Sequence, residues 1–122
     1  MLRQAFYGEY SMELLIIIIN REEYFETILS ILVELGISGA TIFDSQGMGH
    51  FLAYEIPLFA GLRQLMGERK AANKTIMTLI EKKETFAELR RILAEEHIDF
   101  TEPGVGVIFT LPVNNVIKSK AT

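Results

Sequence analysis

Apolar residues fill odd and even positions alike from Met12 to Ile19, ending in four consecutive isoleucines. So short and doubly apolar a run predicts a buried strand in the middle of a sheet, because both of its faces need cover. Asn20 and Glu23 then have the spacing of a capping box. Beyond them Phe25, Ile28, Leu29, Leu32 and Leu35 recur at helical spacing, with Glu22, Glu26 and Glu34 largely on the other side. An amphipathic helix over 21–35 is predicted, stopped by Gly36.

Residues 40–45 (ATIFDS) are β-prone and follow a Gly36/Gly39 turn, so a second strand is expected, running into Gly47 and Gly49. From 47 to 73 the periodicity breaks down, which predicts a long loop, with a short helix over 59–66. The run 75–80 (TIMTLI) reads as a third strand. Thr85 and Glu88 repeat the capping-box spacing at the start of a second helix with Phe86, Leu89, Ile92 and Leu93 on its apolar face. A glycine-bearing turn at 103–106 leads into a fourth strand at 105–111 (VGVIFTL), halted by Pro112, and a short fifth strand is expected at 113–118. The order is β-α-β, β-α-β, which defines an α+β class with a ferredoxin-like split arrangement. Both helices of such a fold cover one sheet face, so the second face of the first strand calls for another partner, most simply a second copy of the chain.

At 122 residues there is one domain, 12–122. Met12 stands immediately before the first strand, so 1–11 is expected to be an extension the domain does not need. The formal net charge of −4 provides no basic field, which argues against a nucleic-acid partner. The aliphatic run is too short to span a bilayer, no signal peptide is evident, and a cytoplasmic protein without membrane insertion is expected. Absence of cysteine excludes disulfides and thiolate chemistry.

Gly47-x-Gly49 and Gly104-x-Gly106 suit either ordinary turns or the exposure of backbone amides to phosphate. Lys118 and Lys120 would share one face of a strand, which suits an anion as well as it suits solvent. His50 near Glu55, and His97 near Glu95, Glu96 and Asp99, lack a recognised metal spacing, so no metal site is expected. Neither a nucleophile nor an acid–base pair stands out, and an enzyme is not expected.

The run Gly39-Ala40-Thr41-Ile42 through Gly47-Met48-Gly49-His50, the long loop, and the block from Pro103-Gly104-Val105-Gly106 through Leu111-Pro112-Val113 to Val116-Ile117-Lys118 together resemble the PII family of signal-transduction proteins. The resemblance implies a ferredoxin-like homotrimer in nitrogen regulation. It also implies an adenine nucleotide, ATP or ADP, often with 2-oxoglutarate, in clefts between subunits, and a loop after the second strand that controls a target protein. Carried over, Thr41 falls near the adenine and Gly47 and Gly49 fall where the loop leaves the sheet. Gly104 and Gly106 fall in the phosphate-facing turn, and Lys118 and Lys120 in the places of two phosphate-binding arginines.

This chain departs from the pattern at His50, which replaces an arginine, at Phe51, which stands in place of a glutamine, and at Val107, which replaces a lysine. The loop also lacks the family's tyrosine modification motif. A CutA-like or purely structural trimer without nucleotide is the alternative. In the loop, Tyr54, Pro57, Phe59 and Leu62 belong to an apolar stretch that either docks a partner or packs within the assembly.

Overall fold

A computed structural model of the protein describes residues 12–63 and 72–120. Strands β1 (Glu13–Ile19), β2 (Thr41–Gln46), β3 (Ala72–Ile80) and β4 (Gly106–Pro112) form one antiparallel sheet in the order β2-β3-β1-β4. Helix α1 (Phe25–Glu34) joins β1 to β2, helix α2 (Met48–Glu55) follows β2, and α3 (Thr85–Glu95) joins β3 to β4. This is the ferredoxin-like arrangement expected, with the doubly apolar β1 in the interior of the sheet. The expected extension, 1–11, and the end of the helix expected over 59–66 lie outside the described residues.

Alternation along β1 sorts the sheet into two faces. Leu15, Ile17 and Ile19 are buried and meet Ile28, Ile31 and Leu32 of α1, Leu89, Ile92 and Leu93 of α3, and Ile76 and Ile80 of β3. Each fully buried leucine or isoleucine of this set contributes about 1.5–3 kcal/mol. The intervening residues form the opposite face in cross-strand rows: Thr41, Met77, Ile16 and Phe109 make one, and Leu79, Leu14 and Leu111 another. Phe43, Val107, Phe109 and Leu111 on this face are exposed.

Four local expectations are corrected. Asn20 does not cap the first helix, because its Oδ1 accepts a hydrogen bond from Asn73 Nδ2 (2.9 Å), and a 3-10 turn (Glu22–Tyr24) opens the helical segment instead. Thr85 likewise makes no capping bond, since Glu84 occupies the cap position and Thr85 is buried. The segment after β2 is not irregular throughout, for α2 and a second 3-10 turn (Pro57–Phe59) occupy much of its described part. Finally, no fifth strand forms at 113–118 among the described residues. Val113 N still donates to Met12 O (3.0 Å), but residues 114–120 add no strand.

Candidate functional site

The strand register distributes the candidate residues over two ends of the sheet. Ile19 opposes Lys74 on one side and Gly106 on the other, and Lys74 opposes Asp44. Gly47, Gly49 and His50 after β2 and the 103–106 turn before β4 therefore lie at the same end, which we term the glycine end, on the two edge strands. Glu13 opposes Ile80 and Pro112, so the start of α3 and the C-terminal segment belong to the other. Six residue steps along a strand put the two ends roughly 20 Å apart.

At the glycine end, the turn before β4 is fixed from several sides. Asn20 N donates to Val105 O (2.9 Å) and Arg21 Nη2 to Pro103 O (3.3 Å). Gly104 has φ of 78° and Gly106 of 146°, conformations that side-chain-bearing residues rarely adopt. A Cβ on Gly106 would also strike the carbonyl oxygen of Ile18 and come within 3.1 Å of Phe100 Cε2. The chain's own packing thus demands Gly106. Gly47 differs: its backbone is extended (φ −70°), it precedes α2, and a Cβ there would meet only Asn73 Nδ2 at 3.9 Å. Gly49 lies within α2, so this pair opens a helix and does not form the ordinary turn its spacing allowed.

His50, also on α2, stacks on Tyr54 with ring centroids 4.4 Å apart, and Gln46 Nε2 donates to its Nδ1 (3.3 Å). Arg63 also meets Tyr54. Its guanidinium carbon lies 4.9 Å from the ring centroid, while Nε donates to Ala53 O (2.7 Å) and Nη2 to Tyr54 O (3.2 Å). These carbonyls belong to the last turn of α2, where a cation is favoured by both the orphan acceptors and the helix dipole. Phe59 is 39% exposed, Tyr54 and Pro57 are exposed and Leu62 is half-buried, whereas Leu65 and Met66 lie outside the described residues.

A polar network that no local spacing announces also occupies the glycine end. Ser45 Oγ contacts Asn73 Oδ1 and lies 2.6 Å from Thr75 Oγ1, and Asn73 reaches on to Asn20. Lys74 Nζ pairs with Asp44 (2.5 Å) and sits 5.7 Å from the Phe25 ring centroid. Lys74 is thereby committed to the β2–β3 pair.

The opposite end holds a cavity of about 530 Å³. Its walls are the α1–β2 turn (Leu35, Gly36, Ile37, Ser38, Gly39), the end of β3 (Leu79, Ile80), Glu81 and Lys82, Thr85 of α3, and Lys118 and Ser119. Lys118 is the one predicted site residue on this wall. It does not point freely to solvent, since its Nζ donates to Glu81 Oε1 (2.5 Å). Thr41 follows the cavity's Ser38–Gly39 stretch and lies beside Met77 on the open sheet face. Lys120 is exposed. Val107, opposite Ile18, extends the apolar face of the sheet, and Phe51 is exposed on α2. Among the described residues no group of three or more His, Cys, Asp or Glu is placed to hold a metal ion, and no helix is long and apolar enough to cross a membrane.

The candidate residues of one chain thus fall into two groups: a glycine turn at one end of the sheet, and a lysine-bearing cavity at the other. The architecture is an α+β sandwich of ferredoxin-like topology. Residues 12–122 match the family described as Nitrogen regulatory protein P-II, and the chain belongs to that family. The PII protein of Arabidopsis thaliana, solved with citrate bound, is similar at 25% identity, with a TM-score of 0.58 over 88% of this chain and 82% of that one. The GlnK protein of B. subtilis in complex with ATP shares the fold at 20% identity and a TM-score of 0.56, with 88% of each chain covered. A functionally unknown protein from Pediococcus pentosaceus shares it at 14% identity and a TM-score of 0.53, over 91% of this chain and 99% of that one. No curated protein matches the chain.

Proposed function

We propose that the protein is a P-II-type regulatory homotrimer, not an enzyme, that binds a small anionic effector in clefts between subunits and signals to a target protein through the segment after β2. The observation that carries this reading is the division of the candidate site: Gly104, Gly106 and His50 stand at one end of the sheet, and Lys118 and the cavity at the other. No single chain can close both halves on one ligand across roughly 20 Å, whereas neighbouring copies can. The open apolar face with Ile16, Phe109 and Leu111 supplies the surface on which copies would associate.

An anionic effector fits the lysines, and the two named neighbours were solved with anionic ligands, citrate and ATP. Thr41, Gly47, Gly49 and Lys120 complete the proposed nucleotide set, with Tyr54, Pro57, Phe59 and Leu62 in the signalling segment. For a signal to result, the effector must favour one conformation of that segment over another.

Calorimetric titration with ATP, ADP and citrate, alongside sedimentation to fix the subunit number, tests the reading. Binding is expected, and Lys118→Ala with Lys120→Ala should weaken it by about tenfold or more, the value of a charge-assisted hydrogen bond. Tight binding that survives the double substitution would place the anion elsewhere. A trimer inert to all three ligands would favour the second reading, a structural or CutA-like assembly. That alternative draws support from the apolar Val107 and Phe51, each exposed where the family pattern has a polar side chain.

A further inference from the structure

Lys118 is not waiting for a ligand, because Glu81 already holds its ammonium at 2.5 Å on the wall of the cavity. Both side chains are about half exposed, which leaves the pair accessible and easy to exchange. Glu81 directly follows the last residue of β3, whereas Lys118 belongs to a segment with no strand of its own, so the carboxylate is the fixed member and the lysine the movable one. Lys82 adds a second cation to the same wall, and Thr85 and Ser119 add hydroxyls.

Resting on the effector-cleft reading above, we infer that Glu81 is a built-in competitor for the anionic effector and sets the cavity's selectivity among anions. A phosphate or carboxylate group that seeks Lys118 must displace the Glu81 carboxylate and then remain beside it. The lysine is thereby withheld from weak monoanions, while an effector with several negative groups can engage Lys82 as well. Glu81 also tethers the tail to the end of β3 when no effector is bound, so displacement frees the segment beyond Val113, which stays bonded to Met12 O.

The test compares wild type, Glu81→Gln, Lys118→Ala and the double variant in calorimetric titrations with ATP, citrate and acetate at low and moderate salt. Glutamine keeps the shape and removes the charge. Glu81→Gln should bind ATP and citrate about twofold to fivefold more tightly, the range for an exposed ion pair, and should gain proportionally more for acetate. The gain should vanish in the double variant, since it depends on the released lysine. Unchanged or weaker binding by Glu81→Gln, with wild type binding ATP normally, would overturn the competitor role and leave the cleft reading standing. A gain that persists without Lys118 would reduce Glu81 to general repulsion and overturn it too. Failure of wild type and Glu81→Gln alike to bind any of the three would bring down the cleft reading itself. Circular dichroism and a thermal midpoint close to wild type establish that each variant is folded.

Discussion

Gly106 and Ile18 stand so close across the β1–β4 ladder that no side chain fits between them: a Cβ on the glycine would lie against the Ile18 carbonyl oxygen. The φ of 146° adds its own objection to any other residue. Gly106→Ala should therefore cost about 2–4 kcal/mol, the strain of a disallowed backbone plus the shift of a central strand. Urea unfolding at a fixed protein concentration measures this. A loss below about 0.5 kcal/mol, the level of an ordinary surface change, would mean that the turn has room the geometry denies it.

Asp99 turns the chain toward the same loop. Its Oδ1 accepts from Thr101 Oγ1 (2.6 Å) and from Thr101 N (2.9 Å), and these two bonds, the hydroxyl's first, hold the carboxyl below its ordinary value. A depressed folded-state pKa gives stability that is present above the unfolded value of about 3.9 and lost as the pH falls through the folded value. Asp99→Asn should therefore be less stable than wild type near neutral pH, with the gap closing below about pH 4. A gap of the same size at both pH values would rule out the charge as its source.

Arg63 satisfies two carbonyls in the last turn of α2 and covers the Tyr54 ring. Arg63→Ala should speed amide exchange in the α2 segment by about fivefold, equivalent to roughly 1 kcal/mol for a partly exposed cationic cap. Hydrogen exchange on wild type should also find protection at Phe51 and Ile56, whose amides donate to Gly47 O and Leu52 O. Peptide-like exchange across α2 in wild type would mean that the helix has no standing stability before a partner arrives.

Phe109 sits in the row with Ile16 and Met77 on the open sheet face. Phe109→Asp should disperse the proposed trimer, because association would bury an unpaired carboxylate among apolar neighbours. Sedimentation would then give a mass near the 13.8 kDa of one chain. An assembly that persists would show that copies meet through some other surface.

Much of this fold was legible because it rests on short-range pattern. The isoleucine run dictated an interior strand, and the spacing of Ile28 and Leu32, or of Leu89 and Leu93, dictated which side of each helix would be covered. The candidate site was named mainly through resemblance, and its local pairings were hidden from the sequence. Asn20 reads locally as a cap, yet its partner Asn73 lies 53 positions away, and Lys118 reads as solvated or anion-binding although Glu81, 37 positions earlier, holds it. Such pairings are made by the approach of strand ends in space, which no local period encodes. Arg63 was missed for a related reason: a cation eight residues beyond the end of a short helix becomes a cap only when the chain doubles back.

In the proposed trimer, the placement of the two candidate half-sites at opposite ends of one sheet carries a genetic consequence. A subunit with Lys118→Ala and Lys120→Ala retains an intact glycine end, and a subunit damaged at His50 retains an intact lysine end. Each alone would build an assembly in which every cleft is defective. Coexpressed and randomly mixed, the two should restore about one cleft in four, wherever the sound end of one subunit meets the sound end of its neighbour. Two loss-of-function alleles would then complement each other inside a single oligomer, with no wild-type chain present.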